Sequence, residues 1–233
     1  MAANKKMGLI GKVFISLFIL ALLLSGGLVY VITQMPWMNW DNIEEDQATV
    51  MPGDNLSPNP NWVFTHAIDI KAPADRVWPW INQIGADRGG FYSYEILENL
   101  AGCKLKNADA IHPEWQYKGD GKELMILHPK MPGLKVEKVI PNVALIVHAG
   151  SFLNAAAGTA KTIKDMDYVN MTWVFYLQKI DWNRTRLMVR WRACYYPSKQ
   201  NEIRYGPKIT GFMNFVMGDA MIRGIKYRAE KGR

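Results

Sequence analysis

The first residues that could carry out acid–base chemistry lie in the short sequence IHPEW. His112 and Glu114 are two residues apart there, with Pro113 between them. In an extended backbone such side chains point to the same side, so the two groups could share a proton relay. Imidazole titrates in the range that a cyclase or dehydratase needs. The alternative is a structural loop, in which Pro113 fixes the backbone and both side chains bind loop amides.

A second candidate is a turn that could bind an anion. Asp87 and Arg88 precede Gly89 and Gly90, between two predicted helices. Free glycine amides at the start of a helix can receive a carboxylate or a phosphate. The same glycines are also what a tight turn requires, with the charged pair supporting it. The sequence therefore indicates either an anion-binding turn of Arg88, Gly89 and Gly90 or a purely structural one.

The histidines and cysteines of the chain do not have the spacing of metal ligands. They are His66, His112, His128, His148, Cys103 and Cys194. Because they form no ligand motif, the sequence predicts neither a metal site nor a bound cofactor. The two cysteines could form one disulfide in an oxidising compartment, or remain two buried thiols.

The strands that must position these residues can be predicted from the hydrophobic pattern. Apolar and polar residues alternate along several segments, which indicates strands with one face toward a core. The predicted strands cover residues 64–71, 122–127, 134–140, 143–148, 169–177 and 185–195. Residues 150–168 are rich in small residues without a clear period, and we predict a loop or lid there.

Two short helices are predicted between the first and second strands. The first covers about residues 73–85 and must be kinked or shortened by Pro79. The second covers about residues 92–101, with Leu97 and Leu100 facing inward. Both helices should therefore contribute apolar side chains to the core.

A long helix is predicted to begin at Pro207 and to lie across the sheet. Its apolar stripe consists of Ile209, Phe212, Met213, Val216 and Ala220. Together with the inward faces of the last two strands, it could form a cavity wall of Trp173, Phe175, Trp191, Phe212, Met213 and Val216. Aromatic rings and methionines suit a pocket for a bulky apolar ligand. The same residues could equally form a filled core.

The last predicted strand should have one buried face and one wet face. Leu187, Val189, Trp191 and Ala193 are expected to point inward, and Arg184, Arg186, Arg190 and Arg192 into water. Such alternation is typical of antiparallel sheet with one solvated side. Together with the helices, it predicts an α+β fold.

The composition is that of a folded domain with an additional segment. The chain has 233 residues, of which 49% are hydrophobic and 21% charged, so global disorder is excluded. Its net charge of +7 suggests attraction to an anionic surface. Because no nucleic-acid-binding motif is present, we expect no nucleic-acid partner.

Residues 13–32 form an uncharged apolar stretch that can span a bilayer core of about 30 Å as a helix. Three lysines precede it, whereas the next basic residue after it is Lys71. The positive-inside rule then places residues 1–12 in the cytoplasm and the rest outside, in a single-pass cell (inner) membrane protein. The alternative is a cleaved signal peptide, with Ser25 and Gly27 near the cleavage site.

Residues 33–61 combine acidic residues with the sequence MPGDNLSPNPN, and we interpret them as a linker or a strap. The soluble domain is then expected to cover residues 62–233.

The stretch IKAPADRVWPWINQIGADRGGFYSYEILENLAG, followed by NADAIHPEWQ, resembles a known family. It is similar to the polyketide cyclase/dehydrase and lipid-transport-like branch of the START-like superfamily, also called SRPBCC. The resemblance covers roughly residues 62–230. It implies a helix-grip fold, in which a curved antiparallel sheet and a long C-terminal helix enclose an apolar cavity. It also implies a ligand class, namely lipids, sterols, polyketides or other hydrophobic molecules, but no reaction.

Three functional hypotheses follow. The leading one is a membrane-tethered binding or transfer module for a lipid or other hydrophobic small molecule. The second is a cyclase- or dehydratase-type enzyme that uses His112 and Glu114 on a hydrophobic substrate. The third is an accessory subunit with a membrane-protein partner, suggested by Ala21 and Ser25 at the spacing of close helix contacts.

Overall fold

In a computed structural model of the protein, the described residues are 8–34, 44–152, 168–196 and 199–231. They fall into two compact units, residues 8–34 and residues 44–231. The first unit is a single helix, α1 (Leu9–Gln34), which contains the predicted span 13–32. Residues Ile10–Tyr30 are long and apolar enough to cross a membrane, with a mean hydropathy of 2.4. A signal sequence meets the same criteria.

The second unit is built on a six-stranded antiparallel sheet. The strands are β1 (Trp62–Ile70), β2 (Leu124–Met125), β3 (Leu134–Ile140), β4 (Ala144–Phe152), β5 (Tyr168–Lys179) and β6 (Thr185–Tyr195). Their order in the sheet is β1-β6-β5-β4-β3-β2. Every predicted strand is present, although β2 has only two residues. β4 extends to Phe152 into the predicted 150–168 loop, of which residues 153–167 lie outside the described ranges.

The helices of this unit are α2 (Glu44–Ala48), α3 (Ala74–Ile81), α4 (Glu95–Leu100), α5 (Lys199–Tyr205) and α6 (Phe212–Lys231). A π-helical turn at Pro207–Gly211 leads into α6. The helix α6 packs against β1 and α3 and buries Met221, Ile222 and Ile225 against the sheet. An α+β unit in which a long C-terminal helix closes an antiparallel sheet is the helix-grip fold.

The face that α6 turns to the sheet differs from the predicted stripe. Ile209 lies in the π-helical turn and is exposed, and Val216 is only partly buried. The deepest residues instead begin at Met221 and continue to Ala229. Because the helix is tightly packed only in its C-terminal half, apolar periodicity in its N-terminal half does not indicate contact with the core.

The orientation of α4 is the reverse of the prediction. Leu97 is 48% exposed and Leu100 is 80% exposed, whereas Glu98 is only 7% exposed. The prediction that both leucines face inward is therefore wrong. A helix of six residues is positioned by its flanking loops, so its own pattern does not determine which side is buried.

Residues 44–58 lie across the outer face of the sheet, and we call them the strap. Met51 of the strap packs on Ile146, Val174 and Met188, which point away from α6. The strap also covers the arginines of β6, so Arg190 is only 2% exposed. The prediction that these arginines point into water is wrong for Arg186, Arg190 and Arg192, whereas Arg184 is exposed.

Candidate functional site

A cavity of about 260 Å³ lies between the inner face of the sheet and the N-terminal half of α6. Its apolar lining consists of Phe91, Leu127, Trp173, Trp191, Met213, Met217 and Met221. Its polar lining consists of Ser93, Glu98 and Asn214. Gly218 also lines it, and a Cβ there would lie 3.3 Å from the ring of the buried His66. The glycine therefore allows α6 to approach β1 at this point.

The aromatic wall of the cavity is a chain of ring contacts centred on Trp173. The Trp173 ring centroid lies 4.8 Å from that of Phe175, 5.8 Å from that of Trp191 and 6.3 Å from that of Phe91. Trp173 and Trp191 are directly paired across β5 and β6, so both point to the inner face. These rings supply a large, rigid apolar surface for a ligand.

The six predicted wall residues separate into two groups. Trp173, Trp191 and Met213 line the cavity. Phe175, Phe212 and Val216 do not; Phe175 is fully buried behind Trp173, and the other two are partly exposed on α6. The methionines Met217 and Met221 were not predicted, although with Met213 they form a series with a spacing of four, which places them on one helix face.

Glu98 is the acidic residue of the cavity and was not predicted. Its Oε1 accepts a hydrogen bond from the Ser93 hydroxyl, and its Oε2 is buried without a partner among the described residues. Burial in this apolar environment raises the pKa of Glu98, and the nearby charge of Glu95 adds to the effect. The site therefore holds a carboxyl group that is more readily protonated than one in water.

Trp191 supplies a second polar group at the cavity. Its indole is 8% exposed, and its Nε1–H has no partner within the described part of the chain. By contrast, the Trp62 indole in the same aromatic cluster donates to the Tyr205 carbonyl at 2.7 Å. The Trp191 donor is therefore left without a partner in a residue that lines the cavity.

The structure brings His112 and Glu114 together, but outside the cavity lining. His112 Nδ1 lies 3.3 Å from Glu114 Oε1, and both side chains are substantially exposed. The imidazole stacks on Trp115 with ring centroids 3.8 Å apart. A backbone hydrogen bond at Glu114 and the neighbouring His112 lower the pKa of Glu114. An exposed pair on a surface loop has no enclosed space in which to hold a hydrophobic substrate.

The predicted anion-binding turn uses its amides internally. Gly89 N–H donates to the Gln83 carbonyl at 2.8 Å, and Gly90 N–H donates to the Gly85 carbonyl at 2.9 Å. Arg88 donates to the Trp115 carbonyl at 2.7 Å and lies over the Tyr117 ring. These contacts describe a structural turn and argue against an anion site.

Cys103 and Cys194 are free thiols in the structure. Within the described ranges, no group of histidine, cysteine or acidic side chains has the arrangement of a metal site.

Comparisons with known proteins return structural similarity alone. No protein-family model and no curated protein sequence matches the chain. A conserved protein from Geobacillus kaustophilus aligns with a TM-score of 0.39 and 14% identity over 73% of this chain and 97% of its own. Norcoclaurine synthase from Thalictrum flavum aligns with a TM-score of 0.38 and 14% identity over 79% and 96%.

The Zhui aromatase/cyclase from Streptomyces sp. R1128 aligns with a TM-score of 0.32 and 10% identity over 73% of this chain and 94% of its own. Two of these three neighbours are named as a cyclase and a synthase, and the identity is low for all three. At such TM-scores they carry no argument about ligand or reaction, which must come from the site itself.

Proposed function

We propose that this protein binds a lipid or another hydrophobic small molecule in the cavity between the sheet and α6, and that α1 tethers it to a membrane. The observation that carries this proposal is the continuous apolar lining around Trp173, Trp191 and the three methionines. Met213 at the rim of the cavity is 51% exposed, so the cavity is open on this side and a ligand can enter it. Preformed apolar cavities of a few hundred Å³ are typical small-molecule sites.

The tether rests on the composition of α1. The insertion of an apolar helix of this length into a bilayer is favourable by itself, so α1 needs no partner protein to remain there. The lysines before it favour a cytoplasmic N-terminus, with the binding unit on the extracytoplasmic side of the inner membrane. A bound passenger would then be exchanged close to the membrane surface.

The test is native mass spectrometry of the full chain, purified from its own host in a mild detergent, followed by solvent extraction. We expect a stoichiometric apolar passenger and an intact mass that includes residue 1. A chain that begins near Leu28 would refute the tether, and a chain without passenger would refute the carrier.

A variant that fills the cavity makes this test specific to the site. Met217→Trp should reduce the occupied fraction by about tenfold or more, because the added ring occupies the ligand space. Met131→Trp is the matched control, because Met131 is exposed and does not line the cavity. Equal occupancy in both variants would place the passenger elsewhere. Urea unfolding of both variants checks that the fold is kept.

A second candidate function is acid–base catalysis on the bound molecule, and Glu98 favours it. A buried carboxyl with a raised pKa beside an apolar cavity has the environment of a general acid. Incubating the extracted passenger with fresh protein distinguishes the two functions. A mass change that Glu98→Gln abolishes and His112→Ala retains would support an enzyme. An unchanged passenger would support the carrier.

A further inference from the structure

We propose that the molecule bound in the cavity has an apolar body and one oxygen-bearing end, a hydroxyl or a protonated carboxyl, which Glu98 and Trp191 bind. This inference rests on the proposed function, since it names the chemistry of the ligand for the same cavity.

The first observation is that two cavity-lining residues carry buried polar atoms without partners. Among the lining residues that the structure describes, these are Glu98, with Oε2, and Trp191, with Nε1. Both side chains are more than nine-tenths buried. A buried polar atom that lacks a hydrogen bond costs about 1–3 kcal/mol, so proteins seldom leave one without a purpose.

The second observation is a contrast with two groups of the same kinds, an indole and a buried carboxylate, that do have partners in this chain. The Trp62 indole donates to a carbonyl at 2.7 Å. Asp46, which is as deeply buried as Glu98, accepts two hydrogen bonds from the Arg186 guanidinium. Open groups also occur elsewhere, such as Asn82 Oδ1 and Thr172 Oγ1, but within the described residues Glu98 and Trp191 are the two that belong to the lining of the cavity.

The hydrogen-bonding properties of Glu98 and Trp191 determine which functional group of a ligand could bind them both. The Trp191 N–H is a donor only, so it needs an acceptor. A protonated Glu98 can donate through Oε2, and an ionised one can accept there. A hydroxyl or carboxyl oxygen can meet both groups at once, because it accepts one hydrogen bond and also carries or shares a proton. An ammonium has no acceptor for Trp191, and a hydrocarbon satisfies neither group.

The test uses two probes of nearly the same shape, 2-naphthol and 2-methylnaphthalene, which differ in a hydroxyl against a methyl group. Equilibrium dialysis with the full chain in lipid nanodiscs gives the ratio of the two affinities. Because both probes also dissolve in the lipid, the informative quantity is the change in this ratio between variants. Partition into the lipid is the same for every variant and cancels.

We expect Trp191→Phe to lower the ratio of 2-naphthol affinity to 2-methylnaphthalene affinity by about threefold to tenfold, the range for one neutral hydrogen bond. Trp182→Phe is the control, since it makes the same substitution at an indole outside the cavity. Trp182 is 82% exposed and does not line the cavity. The ratio should remain unchanged in this control.

Glu98→Met provides a second test that does not depend on the stability of the Trp191 variant. It removes both carboxyl oxygens at nearly constant length and should lower the same ratio by a similar factor. Wild-type ratios in both Trp191→Phe and Glu98→Met, with 2-methylnaphthalene still bound, would overturn this inference and leave the proposed function standing. No binding of either probe by the wild type would overturn both.

Discussion

The two faces of the sheet are covered in different ways. On the outer face, the Arg190 guanidinium reaches the Asp54 carboxylate at 2.7 Å and the Thr49 and Asp46 carbonyls at 2.8 and 2.7 Å. Beside the inner face lies the cavity, whose lining includes Glu98 and Trp191, each with a buried polar atom that has no partner among the described residues. The outer face is therefore covered by the strap, whereas part of the inner face borders a cavity.

This difference suggests that the outer face contributes mainly to stability and the inner face mainly to ligand binding. A buried arginine is tolerated only when its charge and its donors are matched, so the outer face works as a fixed connection between the strap and β6. The open groups beside the inner face cost folding free energy, and a ligand of the proposed kind would offset this cost. Changes on the outer face should therefore affect stability, and changes on the inner face should affect binding.

The largest effect is expected from Arg190→Ala. This change leaves the Asp54 carboxylate and the strap carbonyls buried without their donor, and we expect a loss of about 3–5 kcal/mol in the free energy of unfolding. Urea unfolding followed by tryptophan fluorescence measures it. The strap should also become sensitive to limited proteolysis within residues 44–58, because its main polar anchor is lost.

Arg184→Ala is the control for this prediction. Arg184 is on the turn before β6, and its pair with Asp181 at 2.6 Å is exposed. Exposed ion pairs contribute little, so the urea midpoint should stay at the wild-type value. Equal destabilisation by the two substitutions would mean that the strap does not depend on its buried arginine.

A smaller effect is expected from Asp46→Asn. Asp46 of the strap accepts from Arg186 Nε at 2.8 Å and from Nη2 at 2.5 Å, and its side chain is nearly fully buried. Loss of a charged, two-bond contact should cost about 1.5–3 kcal/mol of unfolding free energy. The exposed Asp69 also binds Arg186, at 2.6 Å, so Asp69→Asn is the matched control.

Asp69→Asn should cost less than about 1 kcal/mol of unfolding free energy, because an ion pair with an exposed carboxylate contributes little to stability. If Asp69→Asn destabilised the protein more than Asp46→Asn, the main partner of Arg186 would be Asp69 of β1. The ion pair between the strap and Arg186 would then contribute little to stability.

The sheet could be predicted from the sequence because the alternation of apolar and polar residues that indicates a strand lies within the strand itself. Alternation along β5 and β6 correctly placed Trp173 and Trp191 on the inner face, since side chains of a strand alternate whatever lies above them. The apolar faces of the strands and the last helix left a cavity and a filled core as alternatives, and the family resemblance favoured the cavity. Met213, Met217 and Met221, however, could have been found from their spacing alone.

The strap and Glu98 could not be predicted because they depend on distant contacts. Arg190 is buried by residues more than 130 positions earlier in the chain, and no local pattern records that pairing. In α4, the rule that apolar residues face inward gives the wrong side, since exposed leucines and a buried carboxyl reverse it. This reversed orientation of α4 must be held by the elements around the helix. Departures of this kind from the local sequence rules are expected mainly at functional or strained sites.

The smallest effect is expected from Glu98→Gln, and it depends on pH. Because burial raises the pKa of Glu98, the folded state retains this proton at a pH where the unfolded state has released it. The contribution of Glu98 to stability is therefore complete below the unfolded pKa of about 4.3 and is lost as the pH rises through the higher folded pKa. Since glutamine does not titrate, the variant should gain stability relative to the wild type over this interval.

Urea unfolding at a series of pH values from 4 to 8 measures this difference, with Glu114→Gln as the control of opposite sign. The pKa of Glu114 is lowered in the folded state, so its contribution is present above the unfolded pKa and is lost as the pH falls. A Glu98→Gln variant that instead became less stable toward neutral pH would mean that the ionised carboxylate has a cationic partner. The inner face would then be closed by the chain as the outer face is, and the contrast between the two faces would fail.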